Sequence, residues 1–436
     1  MRIIPRSEHP ISRKNIDPDA LKVLYRLHRY GFKAYLVGGS VRDMLLSKRP
    51  KDFDMSTDAH PYEVKKLFRN CRIVGRRFRL AHVFFAQNKI IEVSTFRRKA
   101  EFDAAQVGGV QTENTFGTPE EDAFRRDLTI NGLFYNIADH TVIDYVNGLR
   151  DLRDGVVRMI NDPYASIVED PVRMIRAIRH AARSNFVIHA KTWEAIKAEH
   201  ALINNCPESR LREEFLRDLR GGAAAVAIRL MSRSGLLFEL IPEMRSLVGD
   251  EPEPEMPESA LANLRVTDRM MREGRDVSDS ILVAALLAPL VLQTLGRARL
   301  PENPSRAGRV NVLIRDLVKP LSQKLNMPKR VTEQACQILF AQHQIHSAID
   351  SGGIPSRLRA KQYFNAGMQF FEIEKRAQGA DEPYSAAGEP AHPPTSQPRY
   401  AAISTQSSGP DGSSPQRSRR RRRRPRRRNP ATPQDS

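Results

Sequence analysis

The stretch Leu36-Val-Gly-Gly-Ser-Val-Arg-Asp43 is followed nine residues later by Asp52-Phe-Asp54. Residues 34–37 are apolar and β-prone, so they read as a strand running into Gly38-Gly39. Two glycines at a strand end let the backbone approach a ligand closely, with N–H groups that can face a phosphate. Arg42 adds a planar cation suited to phosphate oxygens. A second strand is expected over 53–55. Residues two apart on a strand share a face, so Asp52 and Asp54 present their carboxylates together while Phe53 turns toward the core. Adjacent carboxylates repel each other unless a cation lies between them, and Mg²⁺ suits an oxygen-only site beside phosphates. A glycine turn or an acidic pair is commonplace alone. Together, at this spacing, they imply two-metal nucleotidyl transfer, in which metals activate a 3′-hydroxyl and stabilise the pyrophosphate leaving group.

Outward from this stretch the pattern is mixed. A helix is expected after Asp17, with Pro18 at its first position and its end at Gly31; Leu21, Leu24, Leu27 and His28 mark one face. Further strands are expected at 83–86 and 90–96, with a helix at 61–68. Short strands interleaved with helices up to about residue 150 indicate a small α/β domain. After Asp170 the periodicity becomes helical and stays so to about residue 378, with Trp193, Leu211, Phe215, Leu216, Leu230 and Leu237 as apolar anchors. The acidic, proline-rich run 250–257 reads as a loop between helical parts. The fold class expected is α+β: a mixed α/β head, an all-α neck and body, and a disordered basic tail. The boundaries drawn are a basic, irregular segment at 1–16, a head at 17–157, a neck at 158–245, a body at 246–378 and a tail at 379–436.

The 436 residues carry 70 Lys and Arg against 51 Asp and Glu, a net charge of +19. Ten arginines lie between positions 417 and 428, and without them the charge falls to +9. So concentrated a charge implies a polyanionic partner, nucleic acid before anionic membrane, although a tail that merely aids solubility has the same composition. From Gly379 onward Pro, Ser, Gly, Ala and Gln dominate, which leaves too little apolar surface to fold. Cys71, Cys206 and Cys336 are too few and too scattered for a disulfide framework or a cysteine zinc site, which fits a reducing compartment. The first residues lack the apolar stretch of a signal peptide. The longest apolar run, 281–295, is interrupted by Pro289 and Gln293, so a buried helix pair is expected rather than a membrane span. A soluble, cytoplasmic protein is the expectation.

Further along, Arg125-Arg-Asp-Leu-Thr-Ile-Asn131 places Asp127 and Asn131 four apart, hence on one face if helical and able to meet a 2′-hydroxyl, with arginines in reach of a triphosphate. Glu169-Asp-Pro-Val-Arg-Met-Ile-Arg176 offers Asp170 as an N-cap, Pro171 at the first helical position and Arg173 on the same face as Asp170. In this order the motifs resemble those of the class II nucleotidyltransferases, the family of CCA-adding enzymes and bacterial poly(A) polymerases. The resemblance is specific over about residues 4–220 and loose from there to 378. It implies a polymerase-β-like head, with ATP phosphates against Gly38, Gly39, Arg42 and Arg125. Asp127 and Asn131 would read the ribose, and Asp170 and Arg173 the base. Asp144-Tyr-Val-Asn-Gly148 and Asp151-Leu-Arg-Asp-Gly155 resemble the linker motif between head and neck, for which a purely structural role serves as well as a catalytic one.

Asp52 and Asp54 are the implied metal-binding carboxylates. For a third, the strand bearing Glu92 is geometrically natural, whereas the resemblance to bacterial poly(A) polymerases points to Glu120, which is the choice made. The segment 73–84, with Arg76, Arg77 and Arg79 around Phe78, is similar to the part that separates poly(A) polymerases from CCA-adding relatives, and would contact RNA. The stretch Ile4-Pro-Arg-Ser-Glu-His-Pro-Ile11 resembles the same enzymes. The activity implied is template-independent addition of AMP from ATP to RNA 3′ ends, with Mg²⁺ as cofactor and RNA-decay proteins as possible partners. The rivals are a CCA-adding enzyme and a catalytically dead RNA-binding protein.

Overall fold

The computed structural model describes residues 1–75, 79–98, 116–249, 253–298, 306–350 and 353–379. Arg76, Arg77 and the tail from 380 onward, the arginine run included, lie outside these residues.

Eight strands form one mixed sheet: β1 (Arg2–Ile4), β2 (Ala34–Val37), β3 (Met55–Thr57), β4 (Cys71–Val74), β5 (Leu80–Phe84), β6 (Ile90–Thr95), β7 (Leu133–Asn136) and β8 (Val142–Asp144). Their order is β1-β8-β7-β2-β3-β6-β5-β4, antiparallel except for the parallel pair β3–β6. Alternation along β2 sorts its side chains between two cores. Ala34 and Leu36 join the main cluster, while Tyr35 and Val37 face a smaller one with Phe96, Ala123, Phe134 and Ile143. Helix α1 (Pro18–Arg29) packs Ala20, Val23, Leu24 and Leu27 inward, and the Asp17 carboxylate caps it by accepting from the Asp19 and Ala20 amides. Helices α2 (Gly39–Leu45), α3 (Pro61–Leu67) and α4 (Pro119–Phe124) complete the head.

Helical structure then dominates. It begins with α5 (Gly148–Asp154), α6 (Pro163–Glu169), α7 (Val172–Ser184), α8 (Ala190–Glu199), α9 (Glu208–Leu219), α10 (Ala224–Arg233) and α11 (Leu236–Leu240). A two-strand parallel pair, β9 (Val156–Val157) and β10 (Val187–Ile188), interrupts them. The body contains α12 (Glu258–Arg272), α13 (Asp279–Arg297), α14 (Arg306–Lys324), α15 (Lys329–Asp350), α16 (Ser356–Arg359) and α17 (Phe364–Gly379). One continuous hydrophobic cluster runs from β2 through α7 to α13 and α17.

Three expectations fail. The segment at 1–16 is not wholly irregular, because Arg2–Ile4 pairs with Val142–Asp144 at the sheet edge. That partner is too remote in sequence for a three-residue strand to announce itself. The second strand starts at Met55, not at 53, so both aspartates precede it, outside any strand. The apolar run at 281–295 is one helix, not two: α13 continues through Pro289 with apolar side chains buried on every side. Tertiary packing there offsets the lost backbone hydrogen bond. α13 is long and apolar enough to cross a membrane by composition alone, but most of it is buried inside the protein.

Candidate active site

β2 ends at Val37, and Gly38 follows it with a φ of +68° that is costly for any residue with a Cβ. A Cβ there would also lie 3.2 Å from Arg126 Nη1. The Gly38 N–H is already given to Leu133 O (3.2 Å), so it does not face a ligand as the sequence suggested. The amides left without an intrahelical acceptor are instead those of the first turn of α2, beginning at the half-buried Gly39. Arg42 lies over this turn. It is held by Asp43 Oδ1 through Nε and Nη2 (3.0 and 2.7 Å), and its Nη1 donates to Asn131 Oδ1 (2.7 Å).

Asp52 and Asp54 are both exposed and Phe53 packs against the core, so the alternation holds although the segment is not yet a strand. A hydrogen bond from Val37 N to Asp54 O (3.1 Å) extends the pairing with β2 by one residue. The parallel register that sets Met55 against Val93 brings Glu92 of β6 beside Asp54. Surrounding protein, then the charges of Glu92 and Asp52, push the Asp54 carboxyl up to about 6, with Arg126 pulling the other way. Since Asp54 is solvent-accessible, this describes a crowded cleft rather than a sealed core. Among the described residues no group of three or more His, Cys, Asp or Glu forms a ready metal cage. Glu120 opens α4 on the exposed side, and its charge bears on Tyr145.

Arg126, the second arginine of the doublet, stands nearer the glycine turn than sequence alone indicated. Its Nη2 donates to Ser56 Oγ (3.2 Å) and Asp122 Oδ2 (2.9 Å), and its guanidinium lies 5.2 Å from the Phe134 ring centroid. The i,i+4 spacing from Asp122 was the available signal. Arg125 follows α4 as its C-cap, and its charge acts on Arg97.

Asp127 and Asn131 do not share a helix. Leu128 is extended and buried, and only Thr129–Asn131 forms a short 3₁₀ turn. The two side chains still meet, Asn131 Nδ2 donating to Asp127 Oδ1 (3.2 Å). Arg176 Nε donates to Asp127 Oδ2 (2.6 Å). Burial opposes ionisation of Asp127, but the charge of Arg176 and the hydrogen bonds from Arg176 and Asn131 hold it well below the usual carboxylate range. The linker motifs form the scaffold of this turn. Asp144 accepts from the Val146, Gly148 and Leu149 amides, and Asp151 accepts from Thr129 Oγ1 (2.7 Å) and Arg158. A Cβ on Gly148 would fall 2.1 Å from Thr129 O, so only glycine fits there.

Asp170 does not cap α7; it ends α6, and its carboxylate accepts from Arg210 Nη2 of α9 (2.6 Å). Arg173 Nη1 donates to Glu169 (3.2 Å) and Ser166 O (3.3 Å). The two side chains lie close in sequence but have separate partners, and Arg210 could not have been inferred from the motif. Arg79 sits at the far side of the sheet, its Nη1 donating to the Tyr62 hydroxyl (3.2 Å) with the guanidinium 5.8 Å from that ring.

A glycine turn at the end of a central strand, with a carboxylate pair at the head of the neighbouring strand and helices behind, defines a nucleotidyltransferase head. Residues 34–158 match the family described as poly A polymerase head domain, and residues 185–247 match one described as a probable RNA and SrmB-binding site of polymerase A. Poly(A) polymerase I of Salmonella typhimurium is 39% identical over 390 residues, 88% of this chain and 83% of its own. The CCA-adding enzyme of Bacillus licheniformis is 35% identical over 222 residues, covering 51% of this chain and 55% of its own. The fold is like that of the Thermotoga maritima CCA-adding enzyme in its complex with tRNA, with a TM-score of 0.55 at 19% identity over 87% of this chain and 86% of that one. The chain belongs to the bacterial poly(A) polymerase I family, and through it to the polynucleotide adenylyltransferases.

Proposed function

We propose that the protein adds AMP from ATP to RNA 3′ ends without a template, by two-metal-ion nucleotidyl transfer. The observation that carries this reading is the carboxylate edge at Asp52, Asp54 and Glu92, beside the first turn of α2. An aspartate kept from ionising easily by the surrounding protein and then by its acidic neighbours suits a divalent cation, which would offset that repulsion. Asp52 and Asp54 would hold Mg²⁺, and Glu92 is a better third carboxylate than Glu120 because its charge already acts on Asp54. Mg²⁺ bound there supplies positive charge for the attacking 3′-oxygen and the departing pyrophosphate.

The chain's own groups do the rest. The first-turn amides of α2, Arg42 and Arg126 would bind the triphosphate, with Arg125 at its outer end. Asn131, fixed by Asp127, would read the ribose 2′-hydroxyl. Asp170 and Arg173 would read the base, adenine displacing Arg210 from the Asp170 carboxylate. RNA would follow Arg79 and Tyr62 together with Arg76, Arg77 and the arginine tail. In this reading the enzyme is cytoplasmic and its product leads into RNA processing and decay, where protein partners of the decay machinery would act.

The likeness to poly(A) polymerase I over most of the chain, against half for the CCA-adding relative, supports adenylation over CCA repair. Primer extension with single nucleotides tests it. ATP with Mg²⁺ is expected to give long products on a generic RNA. Synthesis that needs CTP and stops after three additions would make this a CCA-adding enzyme, and inactivity with every nucleotide would favour a dead head that only binds RNA.

A further inference from the structure

Helix α7 carries one group that none of these roles uses. His180 projects into the seam between α2 and the turn at Thr129–Asn131. Its Nδ1 lies 3.1 Å from Arg42 Nη1, and its Nε2 lies 3.3 Å from Asn131 Nδ2. Both neighbours are donors. A guanidinium has no lone pair to offer. The Asn131 amide is oriented by its other contacts, since Oδ1 accepts from Arg42 and Nδ2 donates to Asp127. Turned over, it would set its oxygen against the Asp127 carboxylate and its NH₂ against the Arg42 guanidinium.

The ring is also neutral. Burial, then the charge of Arg42, push His180 well below the ordinary histidine value, although Asp127 pulls the other way. A neutral imidazole has one lone pair, so two donors compete for one acceptor. Only one contact can be a hydrogen bond at a time, and the ring's tautomer records which.

We propose that His180 is a positioning residue that couples triphosphate recognition to ribose recognition, by accepting from Arg42 in one state and from Asn131 in the other. This rests on the reading above, in which Arg42 meets the triphosphate and Asn131 the 2′-hydroxyl. In the free enzyme the ring is shared between two donors. A phosphate oxygen that takes Arg42 Nη1 leaves the His180 lone pair on Nε2 for Asn131, with the ring proton on Nδ1. The same displacement frees Asn131 Oδ1 from Arg42 to accept from a 2′-hydroxyl. Nδ2 is meanwhile held by Asp127 and His180. Sugar selection therefore sharpens only once the phosphates are seated.

The test is a binding comparison on the full chain with ATP, dATP, AMP and dAMP. In the wild type the preference for ribose over deoxyribose is expected to be about fivefold or more greater for the triphosphates than for the monophosphates. His180→Phe fills the ring's volume without a lone pair and should bring that quotient to one; His180→Gln, whose amide oxygen accepts, should restore part of it. A wild-type quotient of one, or a Phe variant that keeps the wild-type quotient, overturns the proposal. Should the Phe variant not fold, ¹⁵N NMR of wild-type His180 decides: its proton should occupy Nδ1 with ATP bound, and a tautomer unchanged by ATP overturns the coupling. ATP that does not bind at all removes the functional reading as well, whereas ATP that binds and is incorporated with a quotient of one removes this inference alone.

Discussion

The turn at Thr129–Asn131 separates two groups of carboxylates with different surroundings. On the neck side, Asp127, Glu214 and Asp218 are buried and each meets an arginine. Arg176 holds Asp127, and Arg179, itself 4% exposed, bonds Asp218 and lies 2.5 Å from Glu214. On the head side, Asp52, Asp54 and Glu92 crowd an accessible edge, with Arg126 only part of the charge around Asp54. The arginine-paired carboxylates tie α7 to α9 and to Asp127, although burial and the charge of Glu214 push the Asp218 carboxyl up to about 7 against the pull of Arg179. Those on the head side crowd one another, with His82, 3.5 Å from Glu92, and Arg126 acting against them, an arrangement that supports the site proposed above.

Substitutions on the two sides should therefore fail in different ways. Asp52→Ala is expected to lower AMP incorporation on the order of a thousandfold, with RNA binding and thermal midpoint nearly unchanged; normal turnover in a primer-extension assay would sink the site assignment. Arg179→Met leaves Asp218 buried without its bonded cation and Glu214 with only the longer contacts to Arg176 and Arg217 (3.8 and 3.6 Å), and should lose about 3–5 kcal/mol in denaturant unfolding. A loss within ordinary surface values would mean that the neck cluster is not a brace.

A subtler contrast comes from pH. The folded-state value of Asp54, about 6, lies above that of an unfolded aspartate, so folding favours its protonated form. Its penalty is absent below about pH 4, grows as pH rises to 6 and persists above. Asp54→Asn should thus raise the thermal midpoint at neutral pH, leave it unchanged near pH 4, and abolish any stabilisation by Mg²⁺ seen in the wild type. A midpoint that falls at neutral pH would place Asp54 with the braced carboxylates instead. The smallest effect concerns neither cluster: deleting 417–436 should weaken RNA binding and flatten its salt dependence without altering nucleotide choice.

The parts legible in the sequence were those whose physics is local. The strand at Ala34–Val37, the glycine turn and the alternation of Asp52 and Asp54 about Phe53 follow from neighbouring residues. What stayed hidden depends on partners far along the chain. Arg42 meets His180 across 138 positions and Asp170 meets Arg210 across 40, and no spacing rule reaches that far. The four-residue interval between Asp127 and Asn131 did bring them together, though through an extended Leu128 and a tight turn rather than a helix. Glu120 is favoured by the resemblance to bacterial poly(A) polymerases, whereas the nearness of Glu92 to Asp54 depends on a strand register that a β3 of three residues could not reveal.

The strand order also sets a timetable. β2 to β6 can pair once residue 95 has been made, but β7 and β8 arrive some forty residues later, and β1 must wait for β8 before it has any neighbour. The sheet from β2 to β6 can thus take shape on a nascent chain before β7 and β8 exist, with the first strand synthesised among the last to dock. Pulsed hydrogen exchange during refolding should find the amides bonded between β1 and β8 protected after those between β2 and β3. A growing chain would then hold β2 and the segment leading into β3 in the sheet before the turn at Thr129–Asn131 had been made.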